Sequence, residues 1–418
     1  MNKKILVLSV LSILFFTFCK HKTNELELAP VTPQSSAGEI IPNQYLVMLN
    51  PSFIAPARER LDWSQIKNRT EKAAQMENLN AVVAAQLNNW LEEMGVSESQ
   101  VISRYTALQV GAALNIDAAT MERISRRPEV ASIENDRVET LPPFLIEDKK
   151  PAVGDAQTTP CGITNAGGSA PANLDRWIWI VDSGIDLDHP DLNVVTTAPY
   201  PASFVGGTAD DCNGHGTHVA GTAGARNNTI GVIGVAAGAS VVPVRVFPCT
   251  GGSATSTIVS GINHVGTYDY PGDVCNMSLG GFYGAGCATG SGYLSAINAL
   301  AAGGTRCAIA SGNNNANAAN YQPGCINGTN IFTVANMRCN KTWYNDPTYG
   351  SNYGRPPVDW IATGTSVYST YLNGGYATLT GTSMATPHVA GIMQLRNAAP
   401  VSSGNVSYLG VNYPIAVR

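Results

Sequence analysis

Three separated segments of the chain carry the side chains that nucleophilic acyl transfer requires: an acid, an imidazole and a hydroxyl. Asp182 follows the apolar run 177–181, His215 lies between two glycines, and Ser383 follows a Gly-Thr pair. In such a reaction the imidazole accepts the serine proton, while the carboxylate orients the ring and stabilises its cation. Ser383 alone could simply cap a helix, so the interpretation depends on all three side chains.

The neighbouring residues predict elements that would hold these side chains in place. The run 177–181 predicts a buried parallel strand, and sites in open α/β sheets form beyond the carboxyl ends of such strands. Small apolar residues after His215 and after Ser383 predict two buried helices, whose N-termini favour developing negative charge. Further strands are predicted at 240–247, 274–280, 306–312 and 330–336, and further helices near Ser256 and Tyr293. The predicted fold class is α/β, with a mostly parallel central sheet and helices on both faces.

Three motifs resemble those of the subtilisin-like serine proteases, specifically the proteinase K branch: VDSGID at 181–186, HGTHVAGT at 215–222 and GTSMATPHVAG at 381–391. The order acid, histidine, serine along the chain is also that of subtilisin. The resemblance covers residues 157–395 and implies the three-layer subtilisin-like fold and an endopeptidase that forms an acyl-enzyme on Ser383. It makes His215 the base, and His218 is expected to be a packed structural residue.

The resemblance also assigns the group that stabilises the oxyanion. A small apolar strand runs into Gly312 and Asn313, and Asn313 matches the family's oxyanion asparagine. Its side-chain amide and the Ser383 backbone N–H would then donate to the tetrahedral intermediate. Without the other motifs, three consecutive asparagines would indicate only a polar turn.

Substrate contacts follow from the same resemblance. The motif NMSLGG at 276–281 is similar to one wall of the family's primary side-chain pocket. The two walls would be formed by Ser278, Leu279 and Gly280, and by Ala310, Ser311 and Gly312. The segment that would pair with an extended substrate is Gly251, Gly252 and Ser253, although a Gly-Gly pair also suits a flexible turn. Because no pocket position is charged, we expect a broad or apolar preference.

Composition divides the chain near residue 150. Every glutamate lies at or before Glu147, only Lys341 among the lysines lies after residue 156, and 4 of the 42 glycines precede residue 157. Two differently built units are therefore expected, the second being a catalytic domain at 157–418. A net charge of −5 without a basic patch argues against a nucleic-acid partner.

Residues 1–19 have the pattern of a signal peptide. Two lysines precede an apolar run at 5–18, which ends at Cys19 and is short for a membrane helix. A cysteine at this place resembles a bacterial lipoprotein signal, although Phe18 departs from the usual small residue. We expect export, with either ordinary secretion or a lipid on Cys19 that attaches the protein to the outer cell surface. Residues 20–42 are expected to be a flexible tether.

Residues 43–145 form the first unit, with strand and helix patterns that end in SIENDRVE. They resemble the α+β inhibitory propeptide of subtilisin-like proteases, of the inhibitor I9 type. An unrelated small domain is the alternative. If the resemblance holds, the chain is a precursor that inhibits itself, and cleavage is expected in the linker 146–156.

Eight of the nine cysteines lie between 161 and 339, and their even number in an exported chain favours disulfides. The resemblance to bacterial proteinase K relatives implies a bond between Cys212 and Cys249. Cys325 and Cys339 flank one predicted strand and could pair. The spacing leaves four unassigned: Cys161, Cys275, Cys287 and Cys307.

Catalysis needs no cofactor in this interpretation, but a structural calcium ion is a candidate. Asp359 resembles an aspartate that holds calcium in proteinase K, with the carbonyls of Thr329 and Ile331 as partners. The loop is one residue longer than in that family, and Asp359 could instead cap a turn. A monomer acting on protein or peptide substrates is expected.

Two other classes of function are alternatives for these motifs. An inactive relative could use the same groove only for binding, but the complete set Asp182, His215, Asn313 and Ser383 argues against it. An ester or lipid hydrolase is poorly supported, because the serine motif lacks the GxSxG elbow.

Overall fold

The structure, a computed structural model, describes residues 38–53, 66–150, 156–284, 287 and 291–418, and the backbone of 27–28. The predicted signal peptide 1–19 with Cys19, most of the tether 20–42 and part of the linker 146–156 lie outside the described residues. Among the helices that are described, none is long and apolar enough to cross a membrane.

The N-terminal module, residues 38–140, is built from an antiparallel sheet covered by two helices. Before the module lies the short strand β1 (Glu27–Leu28). The strands of the module and of the connecting segment 141–155 are β2 (Ile40–Leu49), β3 (Val101–Tyr105), β4 (Gly111–Asn115), β5 (Val130–Thr140) and β6 (Leu145–Lys150). The helices are α1 (Arg69–Glu93) and α2 (Ala118–Ser125), with short 3₁₀ turns at Pro51–Phe53 and Glu98–Gln100.

Helix α1 is held by an apolar stripe and a polar cap. Its buried residues recur at helical spacing and pack on β2 and β4. Asn68 caps its N-terminus by accepting the backbone N–H of Glu71 at 2.9 Å. This face of the sheet therefore has a core of its own, whereas Leu46, Met48, Tyr105 and Ala113 pack with residues of the C-terminal module.

The C-terminal module, residues 156–418, is built around a ten-stranded sheet. Its helices are α3 (Cys161–Asn165), α4 (His215–Gly224), α5 (Thr255–Tyr268), α6 (Gly292–Ala302) and α7 (Thr382–Arg396), with a 3₁₀ turn at Ala318–Asn320. Its longer strands are β8 (Ile178–Asp182), β12 (Ser240–Arg245), β14 (Val274–Met277), β16 (Arg306–Ala310), β18 (Ile331–Met337), β19 (Val358–Thr363), β20 (Val367–Thr370), β21 (Tyr376–Thr380), β22 (Val401–Tyr408) and β23 (Val411–Val417). Its short strands are β7 (Ala170–Pro171), β9 (Asn193–Val194), β10 (Ala202–Ser203), β11 (Ala236–Ala237), β13 (Gly252–Ala254), β15 (Gly281–Phe282) and β17 (Tyr321–Gln322).

The order β10-β12-β8-β14-β16-β18-β19-β23-β22 is parallel except for the last pair, and the tenth strand, β9, pairs parallel with β12. Successive side chains of β8 point to opposite faces: Ile178 and Ile180 pack with α4 and α7, whereas Trp179 and Val181 pack with α5 and α6. All four are fully buried. Helices therefore cover both faces, and the predicted α/β fold with a mostly parallel central sheet is confirmed.

Three disulfides cross the C-terminal module: Cys161–Cys339, Cys212–Cys249 and Cys287–Cys325. The bond between Cys212 and Cys249 agrees with the expectation. The predicted bond between Cys325 and Cys339 is wrong. Cys325 pairs with Cys287, and α3 brings Cys161 to Cys339 with 6.0 Å between their Cα atoms. Cys275 and Cys307 are free, buried, and opposite each other on β14 and β16.

Candidate active site

Asp182, His215 and Ser383 meet at the carboxyl edge of the sheet. Asp182 is the last residue of β8, His215 the first of α4, and Ser383 the second of α7. His215 Nδ1 lies 2.8 Å from Asp182 Oδ1 and 3.0 Å from Oδ2. Because an ionised carboxylate only accepts, Nδ1 carries the proton and Nε2 is left as the acceptor.

Nε2 of His215 is buried and has no hydrogen-bond partner among the described residues. The Ser383 hydroxyl donates instead to the Ser278 carbonyl at 3.2 Å. Hydrogen bonds between nucleophile and base commonly tighten only when substrate is positioned for reaction. The arrangement thus contains an oriented base and a nucleophile fixed at a helix N-terminus.

Close backbone contact between α4 and β8 requires glycine at position 216. A Cβ there would lie 2.1 Å from the Gly184 carbonyl oxygen and 3.2 Å from the Asp182 Cβ. Only a residue without a side chain lets the first turn of α4 approach the end of β8 this closely. The HGTH motif therefore places the histidine ring beside the carboxylate.

Asp211 is a positioning residue that the sequence analysis missed. It is buried, and its carboxylate accepts hydrogen bonds from the Ser183 hydroxyl, the backbone of Asn213 and Gly214, and both the backbone and hydroxyl of Thr217. Burial raises the pKa of this carboxyl, although these hydrogen bonds oppose the shift. The Asp211 carboxylate caps the first turn of α4 and so fixes the position of His215. In the sequence, the only indication of this role is an aspartate four residues before a histidine that lies between two glycines.

Asn313 is oriented by the residue before the nucleophile. Its Oδ1 accepts from the backbone N–H and the hydroxyl of Thr382, both at 2.8 Å. This network assigns the amide orientation, so that Nδ2 points into the site. There Nδ2 donates to the carbonyl oxygen of Pro143 at 3.0 Å. An amide predicted to bind an oxyanion therefore contacts a peptide carbonyl of the same chain.

The chain's own segment 138–146 passes through the site in an extended conformation. On one side β5 pairs antiparallel with β13, and the Leu141 N–H donates to the Gly251 carbonyl at 3.1 Å. On the other side β6 pairs antiparallel with β21, with Leu145 opposite Thr380. Between them the Phe144 ring lies 4.9 Å from the His215 ring. This is strand addition, and it puts the peptide bond between Pro143 and Phe144 beside the triad.

The six predicted pocket residues lie at the carboxyl ends of the neighbouring strands β14 and β16. They are Ser278, Leu279 and Gly280 on one side, and Ala310, Ser311 and Gly312 on the other. The Ser278 hydroxyl donates to the Ser383 carbonyl at 2.9 Å, so this wall is tied to the nucleophile. None of the six is charged. The predicted pairing segment Gly251, Gly252 and Ser253 contacts residues 139–141, as just described.

His218, the neighbouring imidazole, is a buried structural residue, as predicted. Its Nε2 donates to the Val367 carbonyl at 2.9 Å, and burial lowers the pKa of the ring to about 3. The ring therefore stays neutral and ties α4 to β20.

Asp359, the candidate calcium ligand, lies in β19. Its Oδ2 accepts the Thr333 backbone N–H at 2.8 Å, and burial raises the pKa of its carboxyl to about 6. No cluster of three or more His, Cys, Asp or Glu side chains in the described part of the chain could hold a metal. A calcium site would therefore depend on Asp359 with backbone oxygens, among them those of Thr329 and Ile331, and it remains a prediction.

The fold and this geometry define a candidate acyl-transfer hydrolase, in which Asp182, His215 and Ser383 meet and the amide of Asn313 is hydrogen-bonded to the residue before Ser383. The model of the peptidase S8, or subtilase, family matches residues 177–405. The extracellular serine proteinase of Thermus sp. (strain Rt41A) is 34% identical over 86% of this chain and 81% of its own length. Subtilisin DY of Bacillus licheniformis is 38% identical over 57% of this chain and 85% of its own length.

A solved structure, that of a cold-adapted subtilisin-like serine proteinase, matches with a TM-score of 0.50 and 31% identity, over 60% of this chain and 90% of its own. The chain belongs to the subtilase family of serine proteases. It is a serine-type endopeptidase.

Proposed function

We propose that this chain is the precursor of an exported endopeptidase that cuts its own N-terminal module free and then hydrolyses proteins with a broad or apolar side-chain preference. The observation that carries the proposal is the hydrogen bond from Asn313 Nδ2 to the Pro143 carbonyl. It aligns a peptide bond of the chain itself with the groups that would cleave it.

Hydrolysis proceeds in two acyl-transfer steps. Ser383 Oγ attacks the carbonyl carbon while His215 Nε2 accepts its proton, and Asp182 stabilises the resulting imidazolium. The negative oxygen lies between Asn313 Nδ2 and the Ser383 N–H. Collapse breaks the C–N bond as His215 returns the proton to the leaving amine. Water, deprotonated by the same ring, then releases the acid and restores Ser383.

The self-processing bond is that between Pro143 and Phe144. The linker 146–156 stays the alternative predicted from the sequence; its first residues belong to β6, which pairs with β21. The carbonyl on the oxyanion amide instead belongs to Pro143. In this arrangement residues up to 143 remain in the groove as the first product and inhibit the enzyme.

A broad preference is supported by the uncharged pocket walls, and by Leu141 and Phe144, which fill the groove with apolar side chains in the intact chain. Export is supported by the signal-like residues 1–19 and by the extracellular name of the Thermus relative. The match to that relative covers 86% of the chain, so it includes part of the sequence before residue 157. A monomeric state completes the proposal, and attachment by a lipid on Cys19 stays an alternative to ordinary secretion.

The test compares the full chain with Ser383→Ala and, as a matched control, Ser403→Ala, an exposed serine of β22. We expect the wild type and the control to hydrolyse casein and to yield a fragment that begins at Phe144. The Ser383→Ala chain should stay uncut. A first cleavage within 146–156 would confirm the linker prediction and contradict cleavage at 143–144. An uncut, inactive wild type whose Ser383 resists a serine-directed phosphonate would favour a binding protein instead.

A further inference from the structure

Arg69 is the first residue of α1, and its side chain contacts the C-terminal module at residues that are distant from Ser383 in the sequence. Its guanidinium donates to both oxygens of Asp273, at 2.5 and 2.8 Å, and to the carbonyls of Tyr268 and Asp175, each at 3.2 Å. Its Cζ lies 3.8 Å from the centre of the Trp177 ring. A planar cation is thus recognised by a fork of hydrogen bonds at its edge and an aromatic face.

The pocket for this cation is built by the C-terminal module itself. Asp273 is buried, and its carboxylate also accepts the backbone N–H of Trp177 at 2.9 Å, the indole N–H of Trp179 at 2.8 Å and the backbone N–H of Tyr270 at 3.0 Å. These donors fix its orientation without help from Arg69. Within the described residues, Arg69 is the only cationic side chain paired with this carboxylate. Removing Arg69 would therefore leave a preformed anion without its counter-charge.

A second cation of the same helix reinforces the contact. Lys72 Nζ donates to the Gly266 carbonyl at 3.0 Å and forms an ion pair with buried Asp269. Gly266 and Tyr268 lie in the last turn of α5, where a helix favours positive charge. At the other end of α5, Asp136 accepts the Ser256 N–H at 3.0 Å. The N-terminal module therefore places the cations Arg69 and Lys72 at the C-terminal end of α5 and the carboxyl group of Asp136 at its N-terminal end, as the helix dipole favours.

We propose that Asp273, Trp177 and the Tyr268 carbonyl form a guanidinium-binding site outside the active site, filled in the intact chain by Arg69. The site holds the N-terminal module in place after the bond at 143–144 is cut, and so sets how long inhibition lasts. This role rests on the proposed self-processing. Since the recognition is bidentate and stacked, lysine is a poor replacement.

The test uses the full chain and follows the cut fragment after self-cleavage, by size-exclusion chromatography and by the return of peptidase activity. Losing one partner of a desolvated, hydrogen-bonded ion pair acts mainly on dissociation. We expect Arg69→Ala to release the fragment about 30-fold faster than the wild type, and Arg69→Lys to lie between the two. The control Arg126→Ala removes an exposed pair with Glu122 and should release at the wild-type rate. Release from Arg69→Ala at the wild-type rate would overturn the proposal.

A second measurement separates this proposal from the peptidase function. In the uncut Ser383→Ala chain, amide hydrogen exchange reports the docking whether or not catalysis occurs. Adding Arg69→Ala should raise exchange at 69–72 and 268–273 while the central strands keep their protection, and adding Arg126→Ala should not. Unchanged exchange at both segments would reject the site. Should Arg69→Ala fail to fold, Arg69→Lys, which keeps the charge, gives the deciding comparison.

Discussion

The ring of Phe144 packs against the ring of His215, with 4.9 Å between centroids and 43° between planes. The residue that follows the proposed scissile bond thus covers the catalytic base, and both side chains are buried. A buried base cannot meet another substrate while this segment is in place. We therefore propose that these contacts at the candidate catalytic groups keep the intact chain inactive.

Replacing Ser383 or His215 with alanine should abolish hydrolysis, because each removes a group that bonds to or takes a proton from the reacting atoms. We expect casein turnover to fall by a factor of about 10⁶, the loss known from subtilisin. The exposed-serine control Ser403→Ala should keep full activity. Turnover near the wild-type rate in Ser383→Ala would refute the assignment of the nucleophile.

Asn313→Ala should lower turnover by about 10²–10³, again the loss known from subtilisin, because it removes one of two oxyanion donors. The Michaelis constant should change little, since the developing charge exists only in the transition state. Steady-state kinetics on a short peptide substrate separates the two parameters. A raised Michaelis constant with unchanged turnover would mean that Asn313 binds ground-state substrate instead.

Release of the N-terminal module should depend on pH through carboxyls buried at its interface. Glu134 accepts the first N–H of α6, and Glu139 accepts hydrogen bonds from Thr255 and Tyr283. Burial raises the pKa of Glu134 to about 7 and that of Glu139 to about 8, and the carboxylate of Asp136 adds to both shifts, while Arg137 opposes that of Glu134. Burial also raises the pKa of Asp136 itself.

These pKa values are raised in the bound state, so the carboxyls bind protons more tightly there than when released. Binding is therefore strongest below the free pKa of about 4.5 and weakens as pH rises through 7 to 8. We expect the cut fragment to leave at least about tenfold faster at pH 9 than at pH 6. Glu139→Gln should flatten this dependence, and an equal rate across the range would contradict the prediction.

Calcium should raise thermal stability if Asp359 holds it, because an ion that binds only the native state stabilises that state. Excess chelator should then lower the melting temperature of the wild type and leave Asp359→Asn unaffected. Unchanged melting of the wild type with chelator would remove the calcium hypothesis.

The double change Cys212→Ser with Cys249→Ser should lower heat resistance more than room-temperature turnover. The bond closes a loop with a sequence separation of 37 residues, for which chain entropy gives at most about 4 kcal/mol. It also ties the turn before His215 to the segment after β12. Melting and peptidase assays on the same preparation check both parts; turnover that falls while melting stays constant would contradict this order of effects.

The triad and the central sheet could be predicted from the sequence because both depend on local patterns. Asp182 lies in a motif that ends an apolar run, and this run forms β8; His215 and Ser383 lie in motifs followed by small apolar residues, which form α4 and α7. By contrast, the pairing of Cys161 with Cys339, 178 positions apart, depends on where α3 packs, which no local spacing records. The contact between Asn313 and the Pro143 carbonyl could not be predicted for the same reason. The residue that reaches Asn313 is set by strand pairing on both sides of the groove, β5 with β13 and β6 with β21.

Cys275 and Cys307 lie side by side in the centre of the sheet, and burial raises the pKa of both thiols. In the native state they are therefore protonated and closed off from oxidants and from the three disulfides. Once the chain opens, they become ordinary thiols in the same molecule as those disulfides, and at alkaline pH their thiolates can exchange with them. Heat inactivation of this protein should then become irreversible faster as the pH rises, through scrambled cross-links rather than through slow refolding.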